Sequence, residues 1–203
     1  MTDSSEKKIV ALFGGSFDPP HLAHQHIPYF LLAKQFVDQV WYVPVKHHPF
    51  GKTVSSDTDR LEMLKLVLQD VQQECPEYGQ RVRVETLELE QDKTSYTIET
   101  LEALAAKYPE YDFRWVVGSD NVAQFKQWDR YQDILNFGLF VYPRQGYEPS
   151  PLLAGMTYLS EAPIVAVSST AVRQNVKAQV DISQMVIPSV AEYIRLHGLY
   201  LQS

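Results

Sequence analysis

The 203-residue chain has a single cysteine, Cys75, so it cannot close an internal disulfide. A domain of this length buries about 70% of its unfolded-chain surface and needs no such staple. The lone thiol and a polar start, MTDSSEKK, without a secretory pattern give a cytoplasmic expectation. No apolar run approaches the ~18 residues that a membrane-spanning helix requires, so no membrane partner is expected. Positive charge is scarce too: 18 Lys and Arg against 25 Asp and Glu leave a net charge of -7. That excludes a broad basic footprint for nucleic acid but not a local pocket for phosphates. Repeats and low-complexity stretches are lacking. With 45% apolar and 21% charged residues, the composition is that of a soluble globular protein, not a disordered, collagen-like or coiled-coil chain.

Short apolar runs alternate with helical patterns along the whole chain. Lys8–Phe13 stops at Gly14-Gly15 and reads as a strand buried on both faces. A helical stripe follows from His21 to Val37, interrupted by Pro28. Gln39–Val45 is a second strand, and Lys46–Asp57 a polar loop whose last residue can cap a helix over Thr58–Gln72. Val82–Leu87 alternates as a strand, and Ser95 can cap a helix over Tyr96–Lys107. Tyr111–Val117 is a strand ending at Gly118, and two short helices flank Trp128. Gly138–Tyr142, Thr157–Leu159 and Ile164–Val167 are further strands. Ser168-Ser169 opens a helix to about Ala178, and Ser189–His197 closes the chain at Gly198. This alternation predicts an α/β fold, a doubly wound parallel sheet in one domain, with residues 1–7 as a disordered lead-in. Loops 14–21, 45–57, 118–128 and 168–173 then share the crevice beyond the strands' carboxyl ends.

The stretch Gly14-Gly15-Ser16-Phe17-Asp18-Pro19-Pro20-His21-Leu22-Ala23-His24 carries the most chemistry. Two glycines admit close backbone approach and leave amides free for anions, and a helix N-terminus follows. His21 and His24, three residues apart, share a helix face and can donate to adjacent phosphate oxygens. Taken singly, a Gly-Gly turn is only a turn and such a histidine pair belongs to surface or core. The joint pattern resembles the GGxFDPxHxGH loop of the nucleotidyltransferase superfamily of adenylyl- and cytidylyltransferases. That superfamily's second motif, ISSTxxR, is matched by Val167-Ser168-Ser169-Thr170-Ala171-Val172-Arg173. One departure is Ala23, where the superfamily usually has glycine.

More of the chain is similar to one branch, the nicotinate-nucleotide (nicotinate/nicotinamide mononucleotide) adenylyltransferases, from about Val10 to Tyr200. Arg60-Leu61-Glu62-Met63-Leu64 resembles that family's RxxML helix, and Ser95-Tyr96-Thr97 begins a stretch like its SYTxxTL segment. Gly118-Ser119-Asp120 resembles its GxD turn, Trp128 the tryptophan that stacks on the pyridine, and Arg144-Gln145-Gly146-Tyr147 its RxGY loop. Each also has a plain role open to it: Trp128 as a core aromatic, Asp120 as a cap, Arg60 in a salt bridge, Arg144 solvated. The family's PPHK is replaced by Lys46-His47-His48-Pro49-Phe50-Gly51-Lys52, in an altered register.

The resemblance implies adenylyl transfer from ATP to nicotinate mononucleotide, with Mg²⁺ accompanying the ATP. The implied ATP residues are Gly14, Gly15, Ser16, Phe17, His21, His24, Gly118, Asp120, Ser168, Ser169, Thr170 and Arg173, with His21, His24 and Arg173 catalytic. Ser16, Lys46, His48, Tyr96, Thr97, Trp128 and Arg144 would bind the mononucleotide. A phosphate nucleophile is already anionic, so positioning and charge stabilisation suffice. Nicotinamide mononucleotide, another acceptor such as phosphopantetheine, and a nucleotide-binding sensor without turnover are the competing readings.

Overall fold

The computed structural model describes residues 6–46, 55–92 and 94–201. Six strands form one sheet in the order β3-β2-β1-β4-β5-β6. They are β1 (Lys8–Gly15), β2 (Gln39–Pro44), β3 (Val82–Val84), β4 (Tyr111–Gly118), β5 (Leu139–Tyr142) and β6 (Met156–Tyr158). Every neighbouring pair is parallel. The chain winds outward from β1 to β3, returns to place β4 beside β1, then winds the other way. The strand order therefore reverses between β1 and β4, where a doubly wound sheet opens its ligand crevice.

The helices are α1 (Leu22–Ala33), α2 (Asp57–Glu74), α3 (Pro76–Gly79), α4 (Thr97–Lys107), α5 (Tyr131–Phe137), α6 (Ser169–Lys177) and α7 (Pro188–His197). A 3-10 helix spans Ser119–Gln127. Alternate residues of β1 serve opposite cores. Ala11 and Phe13 pack with residues of α1, α2, α6 and α7, whereas Val10 and Leu12 pack with α4, α5 and the 3-10 helix. Burial on both faces explains why β1 is a continuous apolar run, and each fully buried side chain contributes about 1.5–3 kcal/mol.

Several boundaries differ from the sequence expectation for local reasons. The first helix stops at Ala33 rather than Val37, because Gln35 turns left-handed at φ 56° and the Phe36 amide folds back to the Leu31 carbonyl at 3.0 Å. Ser56, not Asp57, caps α2 by accepting from the Asp59 amide at 3.0 Å. Tyr96, not Ser95, is the N-cap residue of α4, without a side-chain cap. Strand β3 ends at Val84 rather than Leu87, since its ladder with β2 runs only from Val40 to Tyr42. Ile164–Val167 joins no ladder, and the four-residue α3 was not anticipated.

Candidate active site

Strand β1 ends in the two glycines, and the first needs to be glycine. A Cβ on Gly14 would lie 2.2 Å from Trp115 Cζ2. The chain then turns through Phe17, left-handed at φ 50° and buried, with its ring edge-on to His24 at a centroid distance of 4.9 Å. That places the Phe17 side chain beneath the loop as a support for the histidine.

Helix α1 begins just after His21. The His21 amide donates to His24 Nδ1 at 2.9 Å. A neutral His24 must therefore carry its proton on Nε2 and present it as a donor. The two rings lie 3.9 Å apart. Burial holds His21 neutral, lowering its pKa to about 3, with a smaller contribution from Arg144. Burial likewise puts His24 well below the usual imidazole range, helped by His21 and Arg144. His21 Nδ1 is buried without a partner among the described residues. Pro28 adds a further constraint. It lacks the N–H that would bond the carbonyl four residues back, and the Tyr42 hydroxyl donates to that His24 carbonyl instead, at 2.6 Å. A residue read only as a helix interruption thus leaves an acceptor by which β2 anchors His24.

The second motif closes over the first. Ser168 caps α6, its Oγ accepting from the Ala171 amide at 3.1 Å. Ser169 Oγ donates to the Pro19 carbonyl at 2.9 Å, and Arg173 Nη1 donates to the Asp18 carbonyl at 2.7 Å. Arg173 also reaches Thr170 Oγ1 at 3.3 Å. Two motifs some 150 residues apart are bound together, with the start of α6 beside the start of α1. Asp18 itself is spent on structure. Its Oδ1 accepts from the Tyr200 hydroxyl at 2.7 Å and its Oδ2 from the Ser55 amide at 3.2 Å. Arg60, fully buried, donates to the Ser16 carbonyl at 2.9 Å and pairs with Asp57 at 2.6 Å, so it shapes this loop from below.

These elements border one cleft of about 550 Å³ at the strand-order reversal. Gly14, Gly15, Ser16, Phe17, His21, His24, Gly118, Asp120, Ser168, Ser169, Thr170 and Arg173 all line it, as do Tyr96, Thr97, Trp128 and Arg144. Trp128 packs on Phe125 at 5.3 Å and also lines the cleft. Arg144 makes its contacts on the second-motif side, to Asp120 at 3.8 Å and the Val167 carbonyl at 3.3 Å. Lys46 is not on the cleft wall and pairs with Asp92 at 3.2 Å. His48 lies outside the described residues. The sequence reading missed Glu88, a buried acid on this wall, and Trp115, which fixes Gly14. No local pattern marks either one, since both stand in apolar or alternating runs.

A parallel sheet whose switch point carries two tied helix starts and a histidine pair is the framework of a nucleotidyltransferase. The Cytidylyltransferase-like family model matches residues 12–175. A protein named "Probable nicotinate-nucleotide adenylyltransferase" from Anaeromyxobacter dehalogenans (strain 2CP-C) is 36% identical over 195 residues, covering 94% of this chain and 96% of its own. Its namesake from Bacillus pumilus (strain SAFR-032) is 31% identical over 194 residues, covering 95% and 98%. The solved Plasmodium falciparum nicotinic acid mononucleotide adenylyltransferase complexed with NaAD superposes with a TM-score of 0.80 at 18% identity, covering 97% and 98% of the two chains. The chain belongs to the cytidylyltransferase-like family, in its nicotinate-nucleotide adenylyltransferase branch.

Proposed function

We propose that this chain transfers the adenylyl group of ATP to nicotinate mononucleotide, producing deamido-NAD and pyrophosphate for NAD synthesis. The observation that carries this reading is the tie between Asp18-Pro19 and Ser169–Arg173, which makes one polyphosphate cradle from two helix starts. Membership of the branch whose relatives bear this name supports the choice of acceptor.

A 5′-phosphate oxygen of the mononucleotide attacks the α-phosphorus of ATP. The bond from that phosphorus to the bridging oxygen breaks, and pyrophosphate leaves with the electron pair. The attacking oxygen is already anionic, so the protein's work is alignment and stabilisation of charge. His24 offers Nε2–H to the reacting phosphates, and His21, its ring 3.9 Å away, stands beside it. Arg173 and Thr170 hold the outer phosphates with the free amides of α6. Asp120 takes the adenosine ribose. Tyr96 and Thr97, at the start of α4, meet the pyridine carboxylate while Trp128 stacks on the ring.

ATP enters as its Mg²⁺ complex. Among the described residues no group of three or more His, Cys, Asp or Glu could hold a metal ion, and both Asp18 oxygens are engaged. The ion would accompany the triphosphate and neutralise phosphate charge, keeping mostly water ligands.

The test is pyrophosphate release from MgATP with nicotinate and nicotinamide mononucleotides in parallel. Release with the nicotinate form, at the higher kcat/KM, is expected. Silence with both while ATP still binds would refute the reading.

A further inference from the structure

Arg144 lines the cleft without a task in the proposed mechanism. It follows β5 and opens a tight turn, in which its carbonyl accepts from the Tyr147 amide at 3.1 Å and Gly146 is left-handed at φ 81°. One hydroxyl fixes that turn. Ser119 Oγ accepts from the Arg144 amide at 2.9 Å and donates to the Tyr147 carbonyl at 2.8 Å. Ser119 is 2% exposed and is not itself on the cleft wall. It therefore stitches the turn after β5 to the turn after β4, with both bonds made inside the protein.

The stitch decides where the Arg144 guanidinium goes. Nη1 donates to the Val167 carbonyl at 3.3 Å, and Nε stands 3.8 Å from Asp120 Oδ1. Asn121 Nδ2 donates to the same carboxylate oxygen at 3.2 Å. Oδ1 is thus engaged by the protein from two directions. Oδ2 makes no hydrogen bond among the described residues, and the Asp120 side chain is 33% exposed on the cleft wall. Gly118 gives the pair its room, since a Cβ there would lie 2.2 Å from Asp120 Oδ1 and 3.0 Å from Arg144 Cγ. These partners belong to the turn after β4 and to the second motif. Tyr96 and Trp128, at the other end of the cleft, are not among them.

We propose that Arg144 is a positioning residue of the ATP half of the cleft: held by Ser119, it fixes Asp120 through Oδ1 so that Oδ2 meets the hydroxyls of the nucleoside ribose. This rests on the assignment of Asp120 to the adenosine ribose, and it moves Arg144 away from the mononucleotide to which the sequence reading gave it. A carboxylate already oriented spends less binding energy on ordering when the ribose arrives.

The experiment compares kcat/KM for ATP and for 2′,3′-dideoxy-ATP, with nicotinate mononucleotide as acceptor, in the wild-type enzyme, Arg144→Gln and Ser119→Ala. Hydrogen bonds from hydroxyls to a carboxylate should favour ATP by about 10- to 100-fold in the wild type. Both variants should lose most of that advantage, Arg144→Gln more than Ser119→Ala. The loss should appear as a higher KM for ATP, while KM for the mononucleotide stays within about twofold. A rise in the mononucleotide KM with the ATP advantage intact overturns the proposal. So does an equal loss with ATP and its dideoxy form, the mark of a merely structural defect. Ser119→Ala changes no charge and no cleft surface, so it decides the matter even if Arg144→Gln does not fold. A wild type that uses both nucleotides equally well would overturn the ribose assignment itself, and the proposal with it.

Discussion

Replacing Tyr200 by phenylalanine tests whether the chain's last turn holds the phosphate loop in shape. The ring is buried and sits at φ 66°, a left-handed conformation that a tyrosine adopts only when its surroundings impose it. Its hydroxyl donates to Asp18 Oδ1 at 2.7 Å. The phenylalanine keeps the ring packing and deletes this bond together with the hydroxyl's contact with Ser55, leaving the carboxylate with the Ser55 amide. Hydrogen bonds to charged groups are worth about 1.5–3 kcal/mol. For a chain of this size each kcal/mol moves Tm by about 2–4 °C. The expected fall is therefore about 3–12 °C by calorimetry. A kinetic effect should accompany it. The Asp18 carbonyl is the acceptor that orients Arg173, so a loosened loop should raise KM for ATP more than KM for the acceptor. An unchanged Tm together with an unchanged KM for ATP would refute this account of the tail.

His24→Ala should lower kcat by about 100- to 1,000-fold, the usual loss on removing one donor to developing charge, while circular dichroism stays native. Gly118→Ala places a Cβ 2.2 Å from Asp120 Oδ1 and 3.0 Å from Arg144 Cγ, so both side chains must move. Weaker ATP binding in a fluorescence titration, with little change in Tm, is expected. Acid should destabilise the fold through the histidines. His21 is neutral in the folded state down to about pH 3, whereas the unfolded chain takes up that proton below its usual 6.5. Stability from this group is full above pH 6.5 and declines by about 1.4 kcal/mol per unit as pH falls toward 3. Glu88 acts in the opposite sense, because its folded form holds a proton from about 7 down to 4.5 that the unfolded form has lost. Urea titrations at pH 7 and pH 5 should show Glu88→Gln losing more stability on acidification than the wild type, and His21→Gln losing less.

The sheet and both motif loops were legible because each has a local cause. Burial on both faces makes β1 a continuous apolar run, and Ser168 caps α6 with the oxygen its residue type supplies. What escaped the sequence depends on contacts made at a distance. Val82–Leu87 alternates throughout, but only a neighbouring strand decides how far a ladder extends, and the ladder with β2 ends at Val84, the Glu85 amide making a last bond to the Tyr42 carbonyl at 2.8 Å. Ser95 has the chemistry of a cap, yet it lies one residue early and turns inward beside Glu88 instead. Lys46 has the right charge for a phosphate, and here it pairs with the exposed Asp92. Tyr42 and Tyr200 belong to the site through single hydroxyls that bond main chain or carboxylate far along the chain. No spacing rule reveals such pairs.

The bonds from Ser169 and Arg173 end on the main-chain oxygens of Pro19 and Asp18. Carbonyls are the same whatever side chain they carry, so the union depends on the side chains of Ser169 and Arg173 and on the path of the glycine loop's main chain. The order of synthesis matters as well. A growing chain displays its glycine loop early, but the partners that complete it emerge about 150 residues later. Fragments released before that point would carry half of a nucleotide cradle, and nucleotide could reinforce the fold only once Arg173 has been made. If Arg173 holds nucleotide as proposed, ligand-linked stabilisation would begin only with chains that extend past it.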